Sequence, residues 1–178
     1  MTRLLRCLPV LLLVCAGVVA AAPSATAGVL DVTCAPPSSN LNSYDPPMTN
    51  APQVVSVSTT ALYGPCVSLS QPAITSGSRT AGFTTTASCL DLLEPGTITY
   101  TVTWNTGQSS TITSNYTAAA AGAVLTIVAT GVVTSGLFAG DAVVTNFTGP
   151  AADVTLCTLG LGTVSDIYTV GALEITSV

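Results

Sequence analysis

The chain has 178 residues, 48% of them hydrophobic and 6% charged. After residue 27 it has no His, no Lys and one Arg, Arg79, so its eight carboxylates give that part a net charge of −7. This composition excludes catalysis by His or Lys, and it disfavours binding to nucleic acid or to an anionic membrane surface, because the chain has no basic patch.

The first 27 residues are organised as a secretory signal peptide. Arg3 and Arg6 form a positive region, residues 8–22 form an apolar run, and Ala25-Thr26-Ala27 is a small-x-small cleavage site. We therefore predict cleavage after Ala27 and an extracellular location.

Two alternatives to a cleaved signal peptide are disfavoured by the sequence. A membrane span is disfavoured because the apolar run is about 15 residues long, against the roughly 20 that a bilayer needs, and contains Pro9. Lipid attachment at Cys15 is disfavoured because Val14 precedes it, where that chemistry prefers a small residue. Cleavage leaves a mature domain over 28–178 with no membrane span.

The mature chain keeps four cysteines, Cys34, Cys66, Cys89 and Cys157. An even number in an exported chain favours two disulfides. The absence of CxxC spacing and of His disfavours a metal site. Three pairings are possible. We prefer the sequential one, Cys34 with Cys66 and Cys89 with Cys157, because it closes the shortest loops.

The segment 35–52 contains five prolines among Ser and Asn, and we predict that it lies outside any sheet. The favoured interpretation is a connection between two sheets with Tyr44 packed back on the domain, since such connections are common in Greek-key folds. The alternative is an exposed interaction loop whose anchors are Tyr44 and Met48.

Alternation of apolar and polar residues predicts about nine short strands. The clearest is Thr97–Trp104, where apolar side chains occupy one face and threonines the other. The turn Asn105–Gln108 then leads into a return strand, which makes a hairpin. The remaining predicted strands are Val29–Cys34, Gln53–Thr60, Ala81–Cys89, Ala123–Thr134, Ala142–Phe147, Val154–Cys157 and Tyr168–Ile175.

No segment combines a helical period with the charged residues that a surface helix uses. Turn signals recur every 8 to 15 residues. This spacing is typical of an antiparallel sandwich, and about 150 residues suit one such unit. We predict an all-β fold, a single antiparallel immunoglobulin-like β-sandwich.

Only carboxylates remain as candidate catalytic groups. A glycosidase-like pair needs two of them 5 to 10 Å apart. The candidates are Asp91, Glu94, Asp141, Asp153 and Asp166. Because one Trp and five Tyr offer few stacking surfaces for a sugar, we predict no catalytic residue, no cofactor and no metal.

Two segments, Gly131–Asp141 and Thr33–Pro37, together with the composition and the four cysteines, resemble small secreted actinobacterial proteins of unassigned function. The resemblance implies a two-disulfide immunoglobulin-like β-sandwich. The chain is also similar to the neocarzinostatin-like chromophore carriers in size and acidity, but it lacks their closely spaced cysteine pairs. The linker subunits of secreted actinobacterial toxin particles are a looser comparison.

The leading functional hypothesis is a secreted, non-enzymatic structural or interaction protein that binds another protein or a surface polymer. Its contact would be an edge strand or the Pro-rich segment. One alternative is a carrier of an apolar small molecule, which requires a cavity lined by residues such as Phe83, Trp104 and Leu125. A carboxylate-based hydrolase is the other alternative.

Overall fold

The computed structural model of the protein describes residues 30–178, so the predicted signal peptide lies outside the described residues. These residues form nine strands, a 3₁₀ turn (Cys89–Leu93) between β4 and β5, and one short helix between β8 and β9. The elements are β1 (Leu30–Met48), β2 (Gln53–Tyr63), β3 (Cys66–Val67), β4 (Gly77–Ala87), β5 (Gly96–Trp104), β6 (Ser109–Ala121), β7 (Val124–Gly136), β8 (Ala142–Pro150), α1 (Ala152–Thr158) and β9 (Val164–Thr176).

The sheet closes on itself. Its strand order is β2-β4-β5-β6-β7-β8-β9-β1-β3, and β1 also pairs with β2, which makes an eight-stranded antiparallel barrel with β3 added beside β1. The predicted all-β class is confirmed. The predicted immunoglobulin-like β-sandwich is wrong, because a sandwich needs two separate sheets and here a single sheet is continuous around the barrel.

The strand that closes the barrel is the Pro-rich one. β1 pairs with β9 along one edge and, over Ser39–Asp45, with β2 along the other. The prediction that 35–52 lies outside the sheet is therefore wrong for most of its length. Two pairs of prolines lie where the β1–β9 register shifts, at Cys34–Ser38 and Ser43–Met48. A proline, which lacks an N–H, is tolerated at such irregularities because no regular ladder hydrogen bond is required there.

Two strands approach their neighbours at glycines. A Cβ added at Gly131 in β7 would collide with the carbonyl oxygen of Thr113, and one added at Gly171 in β9 would collide with that of Asn146. Neighbouring backbone therefore occupies the space that a side chain would need. Glycine at such places lets strands bend tightly, as the curvature of a small barrel requires.

Replacement of Gly171 by Ala is expected to lower the free energy of unfolding by about 2 to 3 kcal/mol, because backbone must move to admit the methyl group. Gly82→Ala is the matched control, since a Cβ there meets only the Val57 carbonyl oxygen at 3.8 Å. Urea unfolding monitored by circular dichroism measures the free energy of unfolding of both variants. Equal midpoints for the two variants would contradict this account of the barrel curvature.

The predicted hairpin of β5 and β6 is confirmed. Tyr100, Val102 and Trp104 face the interior while the threonines between them are exposed. The predicted strand Val154–Cys157 is wrong, because these residues belong to α1. Val154 and Cys157 are three residues apart and both buried, so a single helical face packs on the barrel and overrides the β-propensity of Val.

Two apolar clusters fill the two ends of the barrel. The first, which we call the Trp104 end, includes Trp104, Val102, Ile112, Val133 and Leu173. The second, the Cys89 end, is covered by the 3₁₀ turn and α1 and includes Cys89, Cys157, Met48, Val55, Leu125 and Val164. The middle of the barrel lies between these clusters.

Both sequential disulfides are present, and the preferred pairing is confirmed. Cys34–Cys66 ties β1 to β3 at the Trp104 end, and Cys89–Cys157 ties the 3₁₀ turn to α1 at the Cys89 end. Disulfides of this kind indicate an oxidising environment.

Within residues 30–178, no helix has the length and apolar character needed to cross a membrane.

Candidate functional site

The middle of the barrel encloses a cavity of about 460 Å³. Eight-stranded barrels have interiors that side chains just fill or that hold one small ligand, and ligand sites commonly have volumes of about 300 to 1,000 Å³. The wall is mostly apolar and aromatic. Its side chains include Val57, Phe83, Ile98, Ala118, Leu125, Ile127, Ala129, Phe147 and Ile167, together with four tyrosines.

The cavity has a lateral opening between β4 and β5. Within the described chain these strands pair only at Gly77 with Trp104 and at Ser78 with Thr103. Beyond that point residues 79–87 and 96–102 separate, and the 3₁₀ turn joins the two strands at the far end. Phe83 lines the cavity yet is 56% exposed, so solvent reaches the inner face of β4 there. We call this opening the slit.

Four of the five tyrosines, Tyr44, Tyr63, Tyr100 and Tyr116, line the cavity. The pKa of Tyr44 is raised to about 12, mainly by burial and to a smaller extent by electrostatic repulsion from the neighbouring Tyr116. Burial also raises the pKa of Tyr63 and that of Tyr100. Tyrosine hydroxyls are protonated at neutral pH even at their ordinary pKa, and burial moves these three further from ionisation, so each has a proton available for a hydrogen bond.

Arg79, the only basic residue after residue 27, also lines the cavity. It follows the last β4–β5 pair, so it stands where the slit begins. Its guanidinium carbon lies 4.3 Å from the centroid of the Tyr100 ring, a cation–π arrangement. Burial raises the pKa of Tyr63. The charge of Arg79 and a hydrogen bond from Arg79 to the Tyr63 hydroxyl oppose that rise but are smaller.

Asparagines extend the polar part of the wall. Asn40 in β1 pairs with Ala61 in β2, which pairs with Arg79 in β4, so Asn40 and Arg79 occupy one level of the barrel with a small residue between them. The Asn40 Oδ1 atom is buried without a hydrogen-bond partner. One level further along, Thr59 Oγ1 donates to Asn42 Oδ1 at 2.7 Å.

The structure places neither Tyr44 nor Met48 in an exposed loop. Tyr44 is half-buried in the cavity wall, and Met48 is 2% exposed at the end of β1, where it lines the cavity and belongs to the core. Of the residues predicted for a carrier, Phe83 and Leu125 line the cavity. Trp104 does not, because its ring packs edge-on against Phe138 and its Nε1 donates to Ser110 Oγ at 2.9 Å.

Among the five candidate catalytic carboxylates, Asp91 is the one that lines the cavity. It accepts hydrogen bonds from the Ser88 backbone N–H at 2.7 Å and hydroxyl at 2.8 Å, which lower its pKa. Asp141 instead lies beside Asp31, and burial followed by that second carboxyl raises its pKa. The cavity lining does not bring together the two carboxylates that a glycosidase uses.

Sequence reasoning missed Arg79, Asn40 and Tyr63 as members of one site. The available signal was a lone basic residue within an otherwise uncharged stretch, residues 46–90.

In comparisons with known proteins, no family model, no curated protein and no solved structure matches this chain.

Proposed function

We propose that this protein is a secreted, non-enzymatic binder of an apolar small molecule, which it holds inside the barrel. The observation that carries the proposal is the cavity of about 460 Å³, walled by apolar and aromatic side chains and open through the slit. A ligand of this class would pass between β4 and β5 and displace water from the apolar wall.

The composition of the wall supports a binding role. At Ala118, Ala129 and Val57 the barrel presents small side chains to the cavity, whereas larger ones would fill it. Unfilled space in a core costs free energy, since the atoms around it lose packing partners. A ligand that fills this space would restore those packing contacts. The wall that makes the contacts is already formed by the fold.

The rest of the chain supports a carrier rather than a catalyst. With no His and no Lys after residue 27, and with its four cysteines in disulfides, the described barrel has no imidazole, amine or free thiol to act as nucleophile or general base, and Asp91 is the one carboxylate that lines the cavity. The predicted signal peptide and the disulfides together favour action outside the cell.

Titration with N-phenyl-1-naphthylamine, a neutral dye whose emission rises in apolar surroundings, tests the binding role. We expect saturable binding of one dye per chain with a dissociation constant in the micromolar range, and loss of the signal when the protein is unfolded in reductant and denaturant. The absence of saturable binding by the native protein would contradict the proposal.

One observation favours a second candidate, the recognition of another protein. Both strands that border the slit, β4 over 79–87 and β5 over 96–102, have edges without a ladder partner in the described chain. Such edges accept an added strand. Native mass spectrometry of the protein isolated from its producing cells distinguishes the candidates, because a small extra mass supports the carrier and a co-purifying polypeptide supports strand addition.

A further inference from the structure

Arg79 has no ion-pair partner in the described barrel, although the carboxylate of Asp91 also lines the cavity. Arg79 is the only basic residue after residue 27, and no carboxylate among the described residues forms an ion pair with it. Its Nε atom is buried without a hydrogen-bond partner. Arg79 is half-buried, and a cation partly withdrawn from water is less stable unless a negative group or several acceptors surround it. The Tyr100 ring and the Tyr63 hydroxyl supply only part of that environment.

The groups around Arg79 are suited to an anion. Asn40 stands at the same level of the barrel, with the small Ala61 between it and Arg79. The Asn40 amide can present its N–H₂ to an acceptor, and its oxygen has no partner to keep it in one orientation. Tyr63 and Tyr100 carry hydroxyls that are neutral at physiological pH, as tyrosines ordinarily are, and burial moves their pKa still higher, so they can donate hydrogen bonds and do not repel a negative group.

We propose that the ligand is an amphiphile with a single acidic group, such as a carboxylate, which pairs with Arg79 while its apolar body fills the cavity. This inference rests on the proposed function and names the class of ligand. The apolar body would extend toward Leu125 and Ile127 of the Cys89 end, away from Tyr63 and Tyr100, which belong to the Trp104 end.

A single negative charge fits better than a doubly charged phosphate. The described residues offer one guanidinium, and the chain around it already has an excess of carboxylates. A second charge on the ligand would remain unpaired inside the barrel. The position of Arg79 at the start of the slit would let the acidic group stay near water while the apolar part lies deeper.

Two dyes with one skeleton test this inference. N-phenyl-1-naphthylamine is neutral, and 8-anilino-1-naphthalenesulfonate is the same skeleton with one sulfonate. We expect the native protein to bind the sulfonate at least tenfold more tightly than the neutral dye at low ionic strength, with the difference reduced by salt because ions screen the pair.

Arg79→Met removes the charge, and Arg79→Lys keeps it. We expect Arg79→Met to weaken sulfonate binding at least tenfold more than it weakens binding of the neutral dye, so that the ratio of the two affinities falls towards one, while Arg79→Lys retains part of the preference. In the absence of dye, Arg79→Met should unfold at the same or a higher urea concentration than the native protein, because an unpaired charge is removed. A purely structural role for Arg79 predicts the reverse.

Equal affinity of the native protein for the two dyes would overturn the inference and leave the carrier function standing. An equal loss of affinity for the two dyes in Arg79→Met would overturn the inference in the same way. If the native protein bound neither dye, the carrier function itself would be wrong, and this inference with it. The comparison on the native protein needs no variant, so a folding defect in Arg79→Met does not remove the test.

Discussion

Removal of the Cys89–Cys157 disulfide, by the double substitution Cys89→Ala and Cys157→Ala, is expected to lower the free energy of unfolding by about 4 kcal/mol. The bond joins residues 68 apart, and the entropy that so long a closed loop removes from the unfolded chain is worth about that much. This is a large fraction of the roughly 5 to 15 kcal/mol that stabilises a typical domain.

The same substitution should also weaken ligand binding. The disulfide holds the 3₁₀ turn against α1, and both cysteines are fully buried in the Cys89 end. Asp91 and Leu92 of that turn line the cavity, so a loosened turn disturbs both the wall and the far end of the slit. Urea unfolding and titration with N-phenyl-1-naphthylamine measure the two effects on one protein sample.

The second disulfide provides the control. Cys34 in β1 and Cys66 in β3 are opposite each other at the Trp104 end, and neither lines the cavity. Their replacement by Ala should also lower the free energy of unfolding, by about 3.5 kcal/mol for a separation of 32 residues, but should leave dye affinity unchanged. Equal loss of dye affinity in the two double variants would show that the effect on binding is not local.

Filling the cavity should strongly weaken binding without loss of stability. Ala118 in β6 lines the cavity and pairs with Ile127, another lining residue. A large aromatic side chain at this position would occupy the space of the ligand. We expect Ala118→Trp to weaken dye binding at least thirtyfold, about 2 kcal/mol, and to leave the free energy of unfolding equal or higher, since the new side chain is partly buried.

The neighbouring alanine is a matched control on the same strand. Ala119 faces outward and is exposed, whereas Ala118 is half-buried. Ala119→Trp should therefore leave dye affinity within a factor of two of the native value. If both substitutions weakened binding equally, the dye would occupy a surface of the protein other than the barrel interior.

The local periodicity of the chain predicted most strands well. The alternation in β5 placed Tyr100, Val102 and Trp104 on the buried face, and the structure agrees. Errors arose where tertiary contacts override local pattern. Val154 and Cys157 look like part of a strand, yet they form the buried face of α1, which packs on the barrel and is tied to Cys89 by a disulfide.

The larger error concerned the closure of the sheet. Alternating strands with frequent turns are compatible with both a sandwich and a barrel, because each presents one apolar face to a core. The difference lies in the Pro-rich segment. Its prolines argue against a strand, but β1 accommodates them at two register shifts and so pairs on both edges. Local propensity contains no information about these partners.

The amino-acid sequence by itself determined the all-β class, the expectation of two disulfides, and the scarcity of reactive side chains, whereas it favoured one of three disulfide pairings that the structure then confirmed. These follow from composition, spacing and period, which are local properties. Only the tertiary structure decided that the sheet closes, that β4 and β5 separate to form a slit, and that Arg79, Asn40 and Tyr63 meet in one cavity. The reason is that such contacts join residues distant in sequence, and their geometry depends on strand register rather than on any local pattern.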